Sequence, residues 1–137
     1  MKNKLVIYFI LITSTLLFIY GSCTKPPARP DYDNVKGYVI GKETCNTDTT
    51  KDYWLIDLTY FPDTPQYGDT LLLNGIRYTN VIKTKGLDER LKQTGMRVSI
   101  DFKTISQNKV VTSGCTLTNP MTYNLKELFV LYQFEIR

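Results

Sequence analysis

The sequence predicts a mainly β domain, a small barrel or closed antiparallel sheet with one short helix. Three observations carry that expectation. Met96 to Lys103 alternates apolar and polar residues without error, Asn74-Gly75 sits between two apolar runs as a tight-hairpin signal, and tyrosine is plentiful, at 10 of 137 residues. The length suits one domain with a single modest core.

Val35 to Cys45 reads as the first strand, interrupted by Gly37 and Gly41, whose spacing marks strong bends. Tyr53 to Tyr60 is the second: Trp54, Ile56, Leu58 and Tyr60 share one face, Asp57 and Thr59 the other, and Pro62 and Pro65 end it. Leu71 to Tyr78 holds the hairpin, since Asn-Gly supplies the positive φ angles of a type I′ turn. Leu87 to Gln93 is expected to form a helix of about two turns, with acids in its first turn, bases in its last and Gly95 to stop it. Met96, Val98, Ile100 and Phe102 then point inward from a strand. Val110 to Leu117 is a further strand around Cys115. From Leu128 to Ile136 a helical stripe also fits, but aromatic and β-branched residues favour a final strand.

At the other end, Lys2 and Lys4 precede an apolar run from Leu5 to Tyr20, the layout of a secretory signal. Sixteen helical residues cover about 24 Å, short of the roughly 30 Å hydrocarbon core, so a spanning helix fits poorly. The run ends in Tyr20-Gly21-Ser22-Cys23, which resembles the lipobox of bacterial lipoproteins, with Tyr20 in place of the family's usual aliphatic residue. The resemblance covers about the first 23 residues. It implies a signal peptide over 1–22 and acylation of Cys23, while the proline-rich composition of 23–34 reads as a tether and the strand pattern makes 35–137 the β-barrel domain. Thr24 does not match the aspartate that often signals inner-membrane retention in that family. The implied address is therefore the bacterial cell envelope, lipid-anchored in the outer membrane, with the membrane itself as a partner.

Assigning Cys23 to lipid leaves Cys45 and Cys115 as an even pair, which an oxidising compartment would join as a disulfide; two buried, unpaired cysteines are the alternative. The strand order, with a short helix between the third and fourth strands, resembles that of OB-like barrels. That likeness lies in order alone and implies no particular ligand.

The chemistry open to the domain is narrow. With no histidine, the usual triads and most zinc sites are absent from the chain. The formal net charge of +4 includes Lys2 and Lys4, so the rest carries +2 with acids and bases intermixed, which gives no reason to expect nucleic acid. Asn46, Asp48, Thr50, Asp52 and Asp57 are spaced somewhat like a calcium loop, but Lys51 stands where glycine is needed and no bidentate glutamate follows; a polar hairpin loop is expected instead. Carboxylate pairs from Glu43, Asp52, Asp57 and Asp101, or a hydroxyl with Lys42 or Lys103, are the only catalytic candidates, and no spacing brings any two together. No enzyme activity and no cofactor are expected. Among Tyr53, Trp54, Tyr60, Tyr67 and Tyr78, the residues Trp54 and Tyr60 belong to the core face. Tyr53, Tyr67 and Tyr78 remain as surface aromatics for a ligand. The leading expectation is a non-enzymatic lipoprotein presenting its barrel to an envelope protein or glycan. An oligosaccharide or small-ligand module using those tyrosines is the alternative, and a carboxylate hydrolase the third reading.

Overall fold

The computed structural model describes residues 28–105 and 115–137, and the fold is mainly β. Six strands, β1 (Tyr32–Lys42), β2 (Trp54–Asp57), β3 (Asp69–Leu73), β4 (Ile76–Thr84), β5 (Arg97–Thr104) and β6 (Leu128–Glu135), make one antiparallel sheet in the order β3-β4-β2-β1-β5-β6. The first half of β1 pairs with β5 and its second half with β2, with Tyr38 opposite both Arg97 and Asp57. The ladder stays open. Among the described residues, β4 meets the approach to β6 through a parallel bridge, Lys83 to Glu127, with a bond from Thr84 Oγ1 to Leu128 O at 3.2 Å. Full barrel closure, one of the forms expected, is thus reduced to a contact between β4 and the approach to β6. Strands β3 and β6 form the two edges of the sheet.

Alternation puts neighbouring residues on opposite faces, and two apolar clusters result. Val35, Val39, Ile56, Leu58, Ile82, Leu87, Leu91, Val98, Ile100, Phe102 and Leu128 form the larger cluster. Leu55, Leu71, Val81 and Leu125 form a second cluster on the other face of β2 and β4, joined by Ile40, Leu73, Tyr78 and Tyr123. Because both faces of β2 are covered, Leu55, Ile56 and Asp57 are all buried.

Several expectations need correction. The Leu87–Gln93 helix is a single 3₁₀ turn, Glu89–Leu91, flanked by extended Asp88. Bracketed by Gly86 and Gly95, the segment is too short to repay helix nucleation, yet Leu87 and Leu91 still enter the core. Strand β2 stops at Asp57, and Tyr60 is 69% exposed instead of joining the core. Of the strand expected over Val110–Leu117, residues 110–114 lie outside the described residues, and Cys115 to Leu117 are not strand. The hairpin and the last strand form as expected: Asn74 and Gly75 take φ of 52° and 81°, and residues 128–135 are strand throughout.

Gly37 marks the tightest approach between β1 and β2. A Cβ there would lie 2.7 Å from Ile56 Cγ2 and 2.9 Å from Asp57 O, and the backbone oxygen cannot yield without disturbing the ladder. Gly37→Ala is expected to cost about 1–3 kcal/mol in urea unfolding; an unchanged midpoint would show that β1 and β2 lie farther apart.

Candidate functional site

Beyond β5 the chain returns to β6 through a strap, Cys115 to Glu127, that crosses the outer face of β2 and β4. The strap is tied at each end. Cys45 and Cys115 stand as a disulfide, with Cα atoms 4.7 Å apart, and Thr116 N and Leu117 N donate to Cys45 O at 2.9 and 3.1 Å. Thr44 and Met121 exchange backbone bonds of 2.9 and 2.8 Å. At the far end, Lys126 N donates to Asp69 Oδ2 at 2.7 Å and Lys83 N donates to Lys126 O at 3.0 Å.

Between those ties lies an ion pair with no exposed side-chain surface, Lys83 Nζ to Glu43 Oε1 at 3.1 Å. Each partner also takes one backbone group of Tyr123: its N–H donates to Glu43 Oε1 at 2.8 Å, and its carbonyl accepts from Lys83 Nζ at 2.7 Å. The pair acts as one rung of a ladder built from side chains. Lys83 also lies 4.8 Å from the Tyr53 ring. Glu43 Oε2 accepts no hydrogen bond among the described residues.

Tyr53, expected as a surface aromatic, is therefore a buried member of this cluster, 5% exposed, with Lys85 at 4.5 Å on its ring. Burial first, then the nearby Glu127 and Glu43, push its phenol up to about 12. Tyr67 serves elsewhere again. It packs on Tyr32 and Phe102 at ring distances of 5.9 Å, against the rim of the main core, and burial is the first cause that raises its phenol. Of the three expected tyrosines, Tyr78 lines an open cleft.

That cleft, of about 310 Å³, is bounded by Tyr38, Tyr60, Tyr78, Asp57, Val39, Ile40, Thr94 and Gly95. Tyr60 meets Tyr38 edge-on at 5.1 Å, while Phe61 stacks on Tyr38 at 5.5 Å, and the Arg97 guanidinium lies 5.7 Å from both the Tyr38 and Phe61 rings. These contacts hold Tyr38 in place before any ligand arrives. Asp57 is buried, not at the solvated outward position expected of it. Its Oδ1 accepts from Thr59 N at 3.0 Å and Thr59 Oγ1 at 2.6 Å, so the carboxylate is oriented by its own turn.

The other candidates are dispersed. Asp52 is buried, its Oδ1 accepting from Cys45 N, Asn46 N and Asn46 Nδ2 at 2.9–3.1 Å, so it fixes the loop that carries Cys45. Asp48 caps the 3₁₀ turn Thr49–Lys51, and bonds from the Thr50 hydroxyl and amide lower its carboxyl. Asp101 accepts from Asn34 N, and Lys42 lies over Trp54 at 5.9 Å. Lys103 belongs to β5, opposite Phe129 of β6. Among the described residues no three Asp, Glu, Cys or His side chains group as a metal site. Sequence reasoning missed Lys83, Tyr38, Phe61 and Arg97. A signal existed for Lys83 alone, since it shares the parity of buried Val81 in β4. Comparison with protein-family models, curated proteins and solved structures finds no match.

Two measurements test the clamp. Lys83→Met leaves a buried carboxylate without its cation and is expected to cost about 3–5 kcal/mol in urea unfolding, part of which Glu43→Leu in the same chain recovers. A loss below about 1 kcal/mol would mean the pair is solvated. The raised Tyr53 phenol means that the folded state holds its proton to higher pH than the unfolded chain. Stability unaffected below pH 10 should fall as pH rises through 10 toward 12, and Tyr53→Phe should flatten that decline.

Proposed function

We propose that this chain is a lipid-anchored protein of the bacterial envelope whose β domain binds a saccharide of that envelope in the cleft between Tyr38, Tyr60 and Tyr78. The address is supported by the likeness of Tyr20 to Cys23 to a lipobox and by a cysteine pair placed for an oxidising compartment. One observation carries the binding reading. Three tyrosines and one oriented carboxylate share an open cleft of a size suited to small ligands.

The chemistry matches a sugar ring on two counts. Its C–H faces pack on aromatic rings, and its hydroxyls donate to a carboxylate such as Asp57, whose second oxygen has no hydrogen-bond partner among the described residues. A nucleic-acid strand fits less well, because phosphates need a run of basic groups and no Lys or Arg lines this cleft among the described residues. Hydrolysis is not favoured either, since glycoside cleavage needs two facing carboxylates and Asp57 is the only one lining the cleft among the described residues. The domain thus presents its sheet to an envelope component without chemistry, and that component is a glycan.

The test is titration of the detergent-extracted mature protein with oligosaccharides released from its host's envelope and with β-1,4-linked N-acetylglucosamine oligomers. Tyr78→Ala and Tyr60→Ala should each weaken binding by about 1 kcal/mol, and Asp57→Asn by about 1.5–3 kcal/mol. No saccharide bound, or binding indifferent to all three substitutions, would overturn the proposal.

A further inference from the structure

On β6, Phe129, Tyr132 and Phe134 are 60%, 60% and 48% exposed. A bulge between Asp101 and Phe102 keeps all three on one face, opposite Lys103, Asp101 and Ser99 of β5. This is an unusual place for aromatic side chains, because a strand near the rim of a sheet normally turns charges outward. The strip adjoins a mainly apolar cleft of about 260 Å³, in which Phe129 and Val130 face Thr84, Lys85, Gly86 and Ile105. Cations outnumber acids around it. Lys103 is paired with Phe129, Lys85 lines the cleft, Arg97 lies farther along β5 and Lys36 on the next strand, against two acids, Glu127 in the cleft lining and Asp101, which accepts the amide of Asn34.

The chain outside the fold ends beside this strip. Tyr32, the first residue of β1, is paired with Phe102, which is paired with Val130 of β6, so two strand spacings, about 10 Å, separate the start of the domain from the strip. Cys23 lies nine residues before Tyr32 in the sequence. At about 3.1 Å per residue, that tether holds the start of β1 within roughly 30 Å of an acyl anchor on Cys23. Aromatic rings flanked by cations are the composition that seats at a phospholipid interface, where the rings reach the acyl boundary and the cations meet anionic headgroups.

We infer that the Phe129–Tyr132–Phe134 strip is a second membrane contact, which lays the domain on the leaflet holding its own anchor and so fixes which way the tyrosine cleft faces. The inference rests on acylation of Cys23 and is independent of what the cleft binds. Docking of the anchored domain is effectively intramolecular, so a weak strip suffices.

The test uses the full mature protein, its acylation first established by intact mass, in vesicles of phosphatidylethanolamine and phosphatidylglycerol containing brominated acyl chains. Tyr132→Trp adds a fluorophore on the strip, and Tyr60→Trp adds one at the tyrosine cleft. The increment over the signal of Trp54 is read in each. Quenching several-fold stronger at 132 than at 60, reduced by Phe129→Ser with Phe134→Ser, supports the contact. Equal quenching at both positions overturns it even though the protein is acylated, as does a change of oligomeric state that accounts for burial of residue 132. A mass without acyl groups would overturn the anchored reading itself before any vesicle is made.

Discussion

The buried pair of Glu43 and Lys83 is the constraint on which the rest of the outer face depends. Neither side chain would be stable alone inside an apolar cluster, since an unpaired charge there costs several kcal/mol. Together they satisfy one another and grip both backbone groups of Tyr123. That residue sits within the strap, eight residues after Cys115, in a stretch that no β ladder holds. The pair supplies the missing rung. With the strap in place, Leu125 caps Leu55, Leu71 and Val81, and β2 becomes a strand buried on both sides.

The strap also decides where a ligand can sit. By covering the face of β2 and β4 near Tyr53 and Lys83, it removes that region from solvent and leaves the part nearer Tyr38, Asp57 and Tyr78 open. Tyr78 belongs to both regions: it packs on the second apolar cluster and lines the cleft. The wall of the cleft is thus anchored in the same packing that the ion pair secures. Loss of the clamp would disturb the cleft through Tyr78 before it disturbed the main core on the opposite face.

Local pattern revealed the parts of the fold that depend on local pattern. The alternation of Val98, Ile100 and Phe102 identified β5, Asn74-Gly75 identified the hairpin, and the aromatic spacing after Leu128 identified β6. Counting cysteines identified the pair that stands as a disulfide. What stayed hidden required knowledge of pairing across the chain. Glu43 and Lys83 are 40 residues apart, and their burial follows from a strap whose course no periodicity records. Tyr53 alternates like any half-exposed strand residue, yet it is buried beside Lys83, Lys85 and Glu127. The Tyr38–Phe61–Arg97 stack unites three distant segments, and Tyr60 left the core because β2 ended three residues before it. The helix failed for a local reason that composition masks: its charge pattern was right, but no side-chain bond caps it at Asp88 and only one turn formed.

The most direct measurement of the account is native-state hydrogen exchange at the Tyr123 amide, the one donor through which Glu43 holds the strap. If the clamp is integral to the domain, this amide opens only with global unfolding, with the same protection as Ile82 and Val98 in the central strands. Exchange at the rate of an exposed loop, while Ile82 and Val98 remain protected, would show that the strap moves freely over the sheet and that the ion pair does not hold the outer face together.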